Sequence, residues 1–311
     1  MELNDPRFYH RAELSTLGWE LTVCNALSTP ESPCFKALTC KQSYGSLLFD
    51  FISAEAQKPR SFLEIGGGYG FLARDFLKQD PSIQATGWDI SPALIKVQVK
   101  TLKGFRAVIE ERDILSVDPD DLKAFDLVLM NEMIGDLPTL IDVTGEELNE
   151  AASTGDDFFV QEAKRVAKTY PLNLPPGPFN LNIGAILALE KILMAKVETI
   201  FIAEHSCEAV VPEDLKTLIS VSSPGVPEEI PLRGHKEYTI KFSHLEAVAQ
   251  AFSYRVKRGP IADFIPLKMS ERLRICLRAP TARTAEEEII RQFVSDLYQY
   301  EYLLLTKGAR S

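Results

Sequence analysis

Cysteine, histidine and tryptophan are scarce in this 311-residue chain, with five, four and two copies. The cysteine count is odd and no Cys-x-x-Cys occurs, so neither a disulfide framework nor a zinc ribbon is indicated. Cys24, Cys34 and Cys40 cluster near the N-terminus, and the reading that follows is of isolated thiols in a reducing cytoplasm. No group of His, Cys or carboxylates shows metal-ligand spacing, and no metal is expected. No stretch of about 18 apolar residues exists, so no membrane-spanning helix is expected. The start, Met-Glu-Leu-Asn-Asp-Pro-Arg, lacks a basic region followed by an apolar one and does not read as a signal peptide. Basic residues are outnumbered, 34 against 44 acids, for a net charge of −10. That balance argues against binding a phosphate backbone, and no nucleic-acid partner is expected. A Gly-x-Ser-x-Gly nucleophile elbow is also absent.

What is present is an alternation of short apolar runs and amphipathic segments. Ser61–Ile65 reads as a buried strand and Phe71–Lys78 as a helix with Phe71, Leu72, Phe76 and Leu77 on one face. Gln84–Asp89 is a second strand. Ser91 is a natural N-cap, followed by Pro92 at the first position of a helix running to about Lys103. Phe105–Ile109 and Phe125–Met130 are the third and fourth strands, the last an unbroken apolar run that suits a sheet covered on both faces. Strand and helix alternating at this spacing imply right-handed crossovers and an open parallel sheet, an α/β fold. Residues 139–180 interrupt the pattern, acidic at first and then rich in proline. A helix at about Ile183–Ala195 and a strand at Thr199–Glu204 resume it. After a Pro-rich link, Ser223–Pro231, come a helix at Phe242–Ala251 and closing strands at Tyr254–Lys257 and Leu273–Leu277. Thr284 and Glu287 form a capping-box pattern, with Ile290, Phe293, Val294, Leu297 and Leu304 in one stripe, so Thr284 to about Leu305 reads as helix. The organisation expected is an N-terminal segment 1–55, mostly helical or irregular, a domain 56–280 carrying the insertion, and a C-terminal helix 281–311.

Glu64-Ile65-Gly66-Gly67-Gly68-Tyr69-Gly70 joins the first strand to the first helix. Glycines there let the backbone turn tightly and approach a ligand, and the helix N-terminus behind them offers free N–H groups. The spacing is Gly66-x-Gly68-x-Gly70. A dinucleotide fingerprint would need its third glycine at Phe71, and no Lys-Ser/Thr pair completes a phosphate loop. Asp89 closes the second strand, where an acid can accept from both hydroxyls of a ribose. Asp113 lies just past the third strand, and in an open parallel sheet such strand ends converge on one crevice.

Glu64-x-Gly66-x-Gly68-x-Gly70, then Asp89, then Asp113-Ile114, then Phe125 to Asn131-Glu132, resembles the class I S-adenosylmethionine-dependent methyltransferases. The resemblance implies a Rossmann-like sheet of seven strands in the order 3-2-1-4-5-7-6, with the last strand, near Leu273–Leu277, antiparallel. It implies S-adenosyl-L-methionine as cofactor, with Glu64, Gly66, Gly68 and Gly70 against its methionine end and ribose. Asp89 and Ile90 would meet the ribose, Asp113 and Ile114 the adenine, and Asn131 would complete the cofactor site. Asp89-Ile90-Ser91-Pro92 and Asn131-Glu132-Met133-Ile134-Gly135-Asp136-Leu137-Pro138 are further similar to the MidA-like methyltransferases. That group includes factors that methylate an arginine of a respiratory complex I subunit. Asp89 stands where that group shows Glu, and its Gly-Asp-Phe/Tyr-x-Thr segment does not precede the glycine loop here.

Methyl transfer mainly requires positioning a nucleophile and, where needed, taking its proton. Glu132 and Asp136 follow the fourth strand. If they begin a helix, four residues apart on one face, they form a carboxylate pair for a guanidinium; they also suit a helix macrodipole. His205, at the end of the fifth strand, is the third catalytic candidate because imidazole titrates near neutrality. The acids between Asp142 and Glu162 read either as a solvated face or as a lid drawing in a basic protein substrate. Trp19, Tyr44 and Tyr69 are candidates for the pocket wall. The competing functions are a catalytically silent cofactor-binding assembly protein and a nicotinamide-dependent oxidoreductase, the latter disfavoured by the glycine spacing.

Overall fold

The computed structural model describes residues 2–4, 22–151, 155, 157–232 and 236–308. Trp19, His10, His235 and Asp156 lie outside the described residues. In chain order the elements are β1 (Glu2–Asn4), α1 (Val23–Ala26), α2 (Tyr44–Glu55), β2 (Ser61–Ile65), α3 (Phe71–Gln79), β3 (Gln84–Asp89), α4 (Pro92–Thr101), β4 (Ala107–Glu111) and β5 (Leu127–Asn131). Then follow β6 (Thr139–Val143), α5 (Gly145–Asn149), α6 (Phe158–Thr169), β7 (Phe179–Leu181), α7 (Ile183–Met194), β8 (Thr199–His205), β9 (Glu229–Pro231), β10 (Lys236–Tyr238), α8 (Phe242–Ala251), β11 (Tyr254–Pro260), α9 (Glu271–Arg278), α10 (Ala285–Gln299) and β12 (Tyr300–Lys307).

Seven strands form one sheet in the order β4-β3-β2-β5-β8-β12-β11. The first five run parallel, and β12 is antiparallel to both β8 and β11. Counted in chain order within this sheet, that is the expected 3-2-1-4-5-7-6. Alternate side chains along each strand feed two cores. Phe62, Leu127, Leu129, Phe201 and Tyr302 pack with α2, α3 and α10; Leu63, Val128, Met130, Ile202 and Leu303 pack with α7 and α8 on the other face. Every residue of β5 is buried, which is why it reads as an unbroken apolar run.

The identity of the seventh strand differs from expectation. Leu273–Leu277 is helical: Ser270 caps α9 by accepting from Leu273 N, and Leu273, Cys276 and Leu277 form its buried stripe at helical spacing. The strand is instead Tyr300–Lys307, so the C-terminal helix ends at Gln299, and the segment to Leu305 read as helix is half strand. Thr284 accepts from Glu287 N as foreseen, whereas the Glu287 carboxylate turns back to Arg283 N. The third strand sits two residues later than expected, at Ala107–Glu111.

Within residues 139–180, β6 pairs with β1 on one side and β7 on the other. A complete capping box, Thr144 with Glu147, starts α5. Val143, Leu148, Val160, Val166 and Phe179 join the core on the α7 face of the sheet.

Candidate functional site

The carboxyl ends of β2, β3, β5 and β8 open into one cavity of about 850 Å³, within the range of small-molecule clefts. One end is made by the glycine loop. Gly66, Gly68 and Gly70 have φ of 68°, 51° and 77°, the left-handed region that side chains avoid. Gly66 N donates to Trp88 O at 2.8 Å, tying the loop to β3, and Gly70 is the N-cap of α3. A Cβ on Gly66 would lie 2.8 Å from Met133 Cβ, whereas one on Gly68 would meet nothing within 4 Å among the described residues. Gly68 thus leaves bare backbone facing open cavity, a cradle that a flat, polar ligand can approach closely.

Three carboxylates stand around that cradle. Glu64 is buried, and burial, reinforced by Asp89 and Asp75, pushes its pKa up to about 8 against a bond from the Ala73 backbone. Asp89 is also buried and its pKa raised by desolvation; Ser91 N donates to Oδ1 at 2.9 Å and Gln98 Nε2 to Oδ2 at 2.6 Å. Those bonds fix the carboxylate plane while each oxygen retains a second lone pair. Asp113 is held by Leu115 N at 2.8 Å and Ser116 Oγ at 2.9 Å. Ile90 and buried Ile114 lie on the wall between. Trp88 adds an indole face, stacked by Arg112 at 5.0 Å from the ring centroid. Asn131 lines the cavity, its Oδ1 accepting from the Tyr44 hydroxyl; Tyr44 itself is buried behind it rather than on the wall, which Tyr69 does line.

The opposite end is acidic. Glu132, Asp136, Glu204, Glu237 and Asp296 line it with His205. Glu132 and Asp136 do not share a helix face. β5 hands over to a tight turn in which Glu132 adopts φ 54° with its N–H on Ala203 O, and Ile134–Asp136 is a single 3-10 turn. Glu132 Oε1 instead accepts from Val23 N at 3.0 Å and Cys24 N at 3.4 Å, at the start of α1. Burial foremost, with Glu204 adding, pushes its pKa up to about 7. Glu204 accepts from Gly135 N at 3.2 Å. His205 Nδ1 is buried without a hydrogen-bond partner among the described residues and sits 3.6 Å from Glu204 Oε1. Burial alone would lower the imidazole pKa, but Glu204, Asp296 and Glu237 outweigh it and the pKa is raised.

Several wall residues carry no signal in the sequence. Thr22, Cys24 and Asn25 come from the α1 segment, Phe158 and Phe159 from α6, Ile230 from β9, and Asp296 and Tyr300 from the end of α10. Each is an ordinary residue of its own element, and only the fold assembles them. Among the described residues no group of three or more His, Cys, Asp or Glu is arranged to hold a metal ion, and no helix is long and apolar enough to cross a membrane.

Residues 63–153 match the family model described as a methyltransferase domain. Similar solved structures include an O-methyltransferase family protein from Burkholderia thailandensis, 12% identical, TM-score 0.41, over 85% of this chain and 56% of that one. A plantazolicin methyltransferase in complex with SAH is 14% identical, TM-score 0.43, over 92% and 89% of the two chains. Human N-acetylserotonin methyltransferase in complex with SAM is 14% identical, TM-score 0.39, over 85% and 51%. At such scores the fold rests on the strand order itself. None of the curated proteins compared with this chain matches it.

Proposed function

We propose that this chain, which carries a match to a methyltransferase domain, is an S-adenosylmethionine-dependent methyltransferase that acts on a cationic nitrogen acceptor, a protein side chain such as arginine. The observation that carries the reading is the charge of the chamber beyond the glycine loop. Five carboxylates line it, and the described basic groups on the whole wall are His205 and Arg112, the latter occupied with Trp88. A wall of carboxylates attracts a cationic acceptor and repels an anionic one, the more strongly where water is excluded. Phe158, Phe159 and Ile230 add apolar surface for the stem that carries the charge.

Glu64, Gly66, Gly68, Gly70, Asp89, Ile90, Asp113, Ile114 and Asn131 would hold the cofactor, whose ribose hydroxyls and cationic methionine end suit a carboxylate-rimmed glycine cradle. When bound, S-adenosylmethionine supplies a methyl group on a sulfonium. The chain's own part is to orient the acceptor nitrogen, exclude water and take its proton, with Glu132, Asp136 and His205 as the groups within the chamber. The resemblance to MidA-like enzymes supports arginine among cationic acceptors.

One observation favours a second reading, a cofactor-binding assembly protein without turnover: the Glu132 carboxylate already receives two backbone N–H groups from α1. Transfer of a labelled methyl group from S-adenosylmethionine into cell extract, followed by hydrolysis, separates the two. Label recovered as methylated arginine, with capture slowed by salt, supports the proposal. Label on RNA or small molecules overturns the acceptor, and tight SAH binding with no label anywhere favours the silent protein.

A further inference from the structure

Asp296 and Tyr300 lie four residues apart where α10 passes into β12, and both line the cavity. Tyr300 is the direct register partner of His205 across β12 and β8. Their ring centroids are 3.9 Å apart at an interplanar angle of 37°. On its other edge the imidazole meets Glu204, and its Nδ1 is closed off from the cavity. Asp296 is buried on the same cavity wall, oriented by Gln292 Nε2 at 2.7 Å. One quarter of the His205 side chain stays open, on the cavity wall.

We propose that Asp296 and Tyr300 are positioning residues for His205: Tyr300 fixes the ring plane, Asp296 and Glu204 hold the imidazolium charge, and the remaining nitrogen, Nε2, takes the proton of the acceptor. This deepens the function proposed above and rests on it, and it names the acceptor class as a nitrogen that arrives protonated, an ammonium or guanidinium. The N–H bond of the acceptor breaks as an N–H bond to Nε2 forms, and the nitrogen keeps the electron pair for its new bond to carbon. The proton then passes from His205 to water, so one proton is released per methyl transferred. The charged and titratable groups facing His205 are Glu204 on its own strand, Asp296 on α10, Glu237 on β10, Glu132 after β5 and Tyr300 on β12. Four carboxylates stabilise the protonated ring, while Tyr300, packed against its face, supplies no charge.

The test is an NMR titration of the histidine ring protons in the full chain, with His205 assigned by its disappearance in His205→Asn. The chain has four histidines, and His244, depressed to about 4 chiefly by burial, titrates well away. Asp296→Asn is near-isosteric; SAH affinity by calorimetry and far-UV circular dichroism check that it folds. The expected result is a His205 titration about one pH unit lower than in the wild type. The rise of label transfer with pH should move down by the same interval. Tyr300→Phe keeps the ring-current shift on His205, and Tyr300→Leu loses it. A His205 titration unmoved by Asp296→Asn overturns the positioning role, and a titration that moves without the transfer profile overturns proton acceptance by His205. A wild type that binds SAH but labels nothing overturns the acceptor reading and with it the proton-accepting role, leaving the ring stack to be judged by the Tyr300 pair.

Discussion

Glu64, Gly66, Asp89, Asp113 and Asn131 reach the cavity from four consecutive strand ends within residues 64–131, whereas Cys24, Phe159, Glu204, Glu237 and Tyr300 reach its other end from five separate segments spread from α1 to β12. At the glycine-loop end, two carboxylates are held by near neighbours in sequence, Asp89 by Ser91 and Gln98 and Asp113 by Leu115 and Ser116, while Asn131 reaches back to Tyr44. At the acid end, the contacts span the chain: Glu132 to Val23, His205 to Tyr300. A site made of local motifs can be read along the sequence and is rigid wherever the parallel sheet is. A site assembled from distant segments depends on the whole fold and can change its chemistry without disturbing the first.

The strongest way to break this division is Gly68→Val. A β-branched residue at φ 51° is strained, and its side chain would occupy the cavity where bare backbone now lies. The expected outcome is loss of measurable SAH binding by calorimetry in a protein with an unchanged circular dichroism spectrum. Retained affinity would move the cofactor away from the loop. Glu132→Gln is the complementary change. A glutamine Oε1 can still accept from Val23 N and Cys24 N, so α1 stays docked, while the carboxylate charge is gone. Label transfer should fall by roughly 100-fold with SAH affinity essentially unchanged; an equal loss in both would join the two ends into one functional unit.

The legibility of the fold follows the same line. The glycine loop, Asp89, the Ser91-Pro92 cap and the β5 run were readable because each is a local pattern with a local cause. β12 was not. Its Tyr300–Leu305 stretch is buried throughout, Glu301 included, so no alternation of apolar and polar residues marks it as a strand. Coming straight after α10, it reads as more of the same helix, with Leu304 seven residues after Leu297. Leu273–Leu277 reads as a closing strand because it is a short apolar-rich run, although Ser270 and the spacing of Leu273, Cys276 and Leu277 favour a capped helix. The acid end was half legible: Glu132, Asp136 and His205 follow strands, but Glu237, Asp296 and Tyr300 are ordinary members of a hairpin and a helix until β12 lies beside β8.

Asp89→Ala gives a graded measure of the glycine-loop end. It removes a charged acceptor, worth about 1.5–3 kcal/mol, and also leaves Ser91 N and Gln98 Nε2 without their partner. SAH binding should weaken by about 10- to 150-fold in calorimetry, and the pH profile of transfer should keep its shape. A change of shape would mean that Asp89 reaches the proton chemistry at the other end.

The smallest effect expected is on stability, and it compares the two ends within one measurement. Burial raises Glu64 to about 8, Glu132 to about 7 and Asp296 to about 6, and His205 is raised by its carboxylates. Each of these groups binds more protons folded than unfolded. Its stabilisation is therefore complete below the unfolded pKa and is lost as pH rises through the folded one. His244, depressed to about 4 chiefly by burial, works in the opposite sense, but only up to its unfolded value of about 6.5. Between pH 6.5 and 8 the raised groups act with little opposition, so the urea midpoint of the ligand-free protein should fall across that interval. One pKa unit on a single group is worth about 1.4 kcal/mol, and the cavity gives these side chains partial access to water, so each contributes about 1 kcal/mol or less. Glu64→Gln and Glu132→Gln should each flatten the decline, the first towards pH 8 and the second towards pH 7, and the double variant should add the two because the groups belong to separate ends. A midpoint that rises from pH 6.5 to 8 would show that both carboxylates are already ionised in the folded protein. Clear non-additivity in the double variant would show that the two ends of the cavity titrate as one.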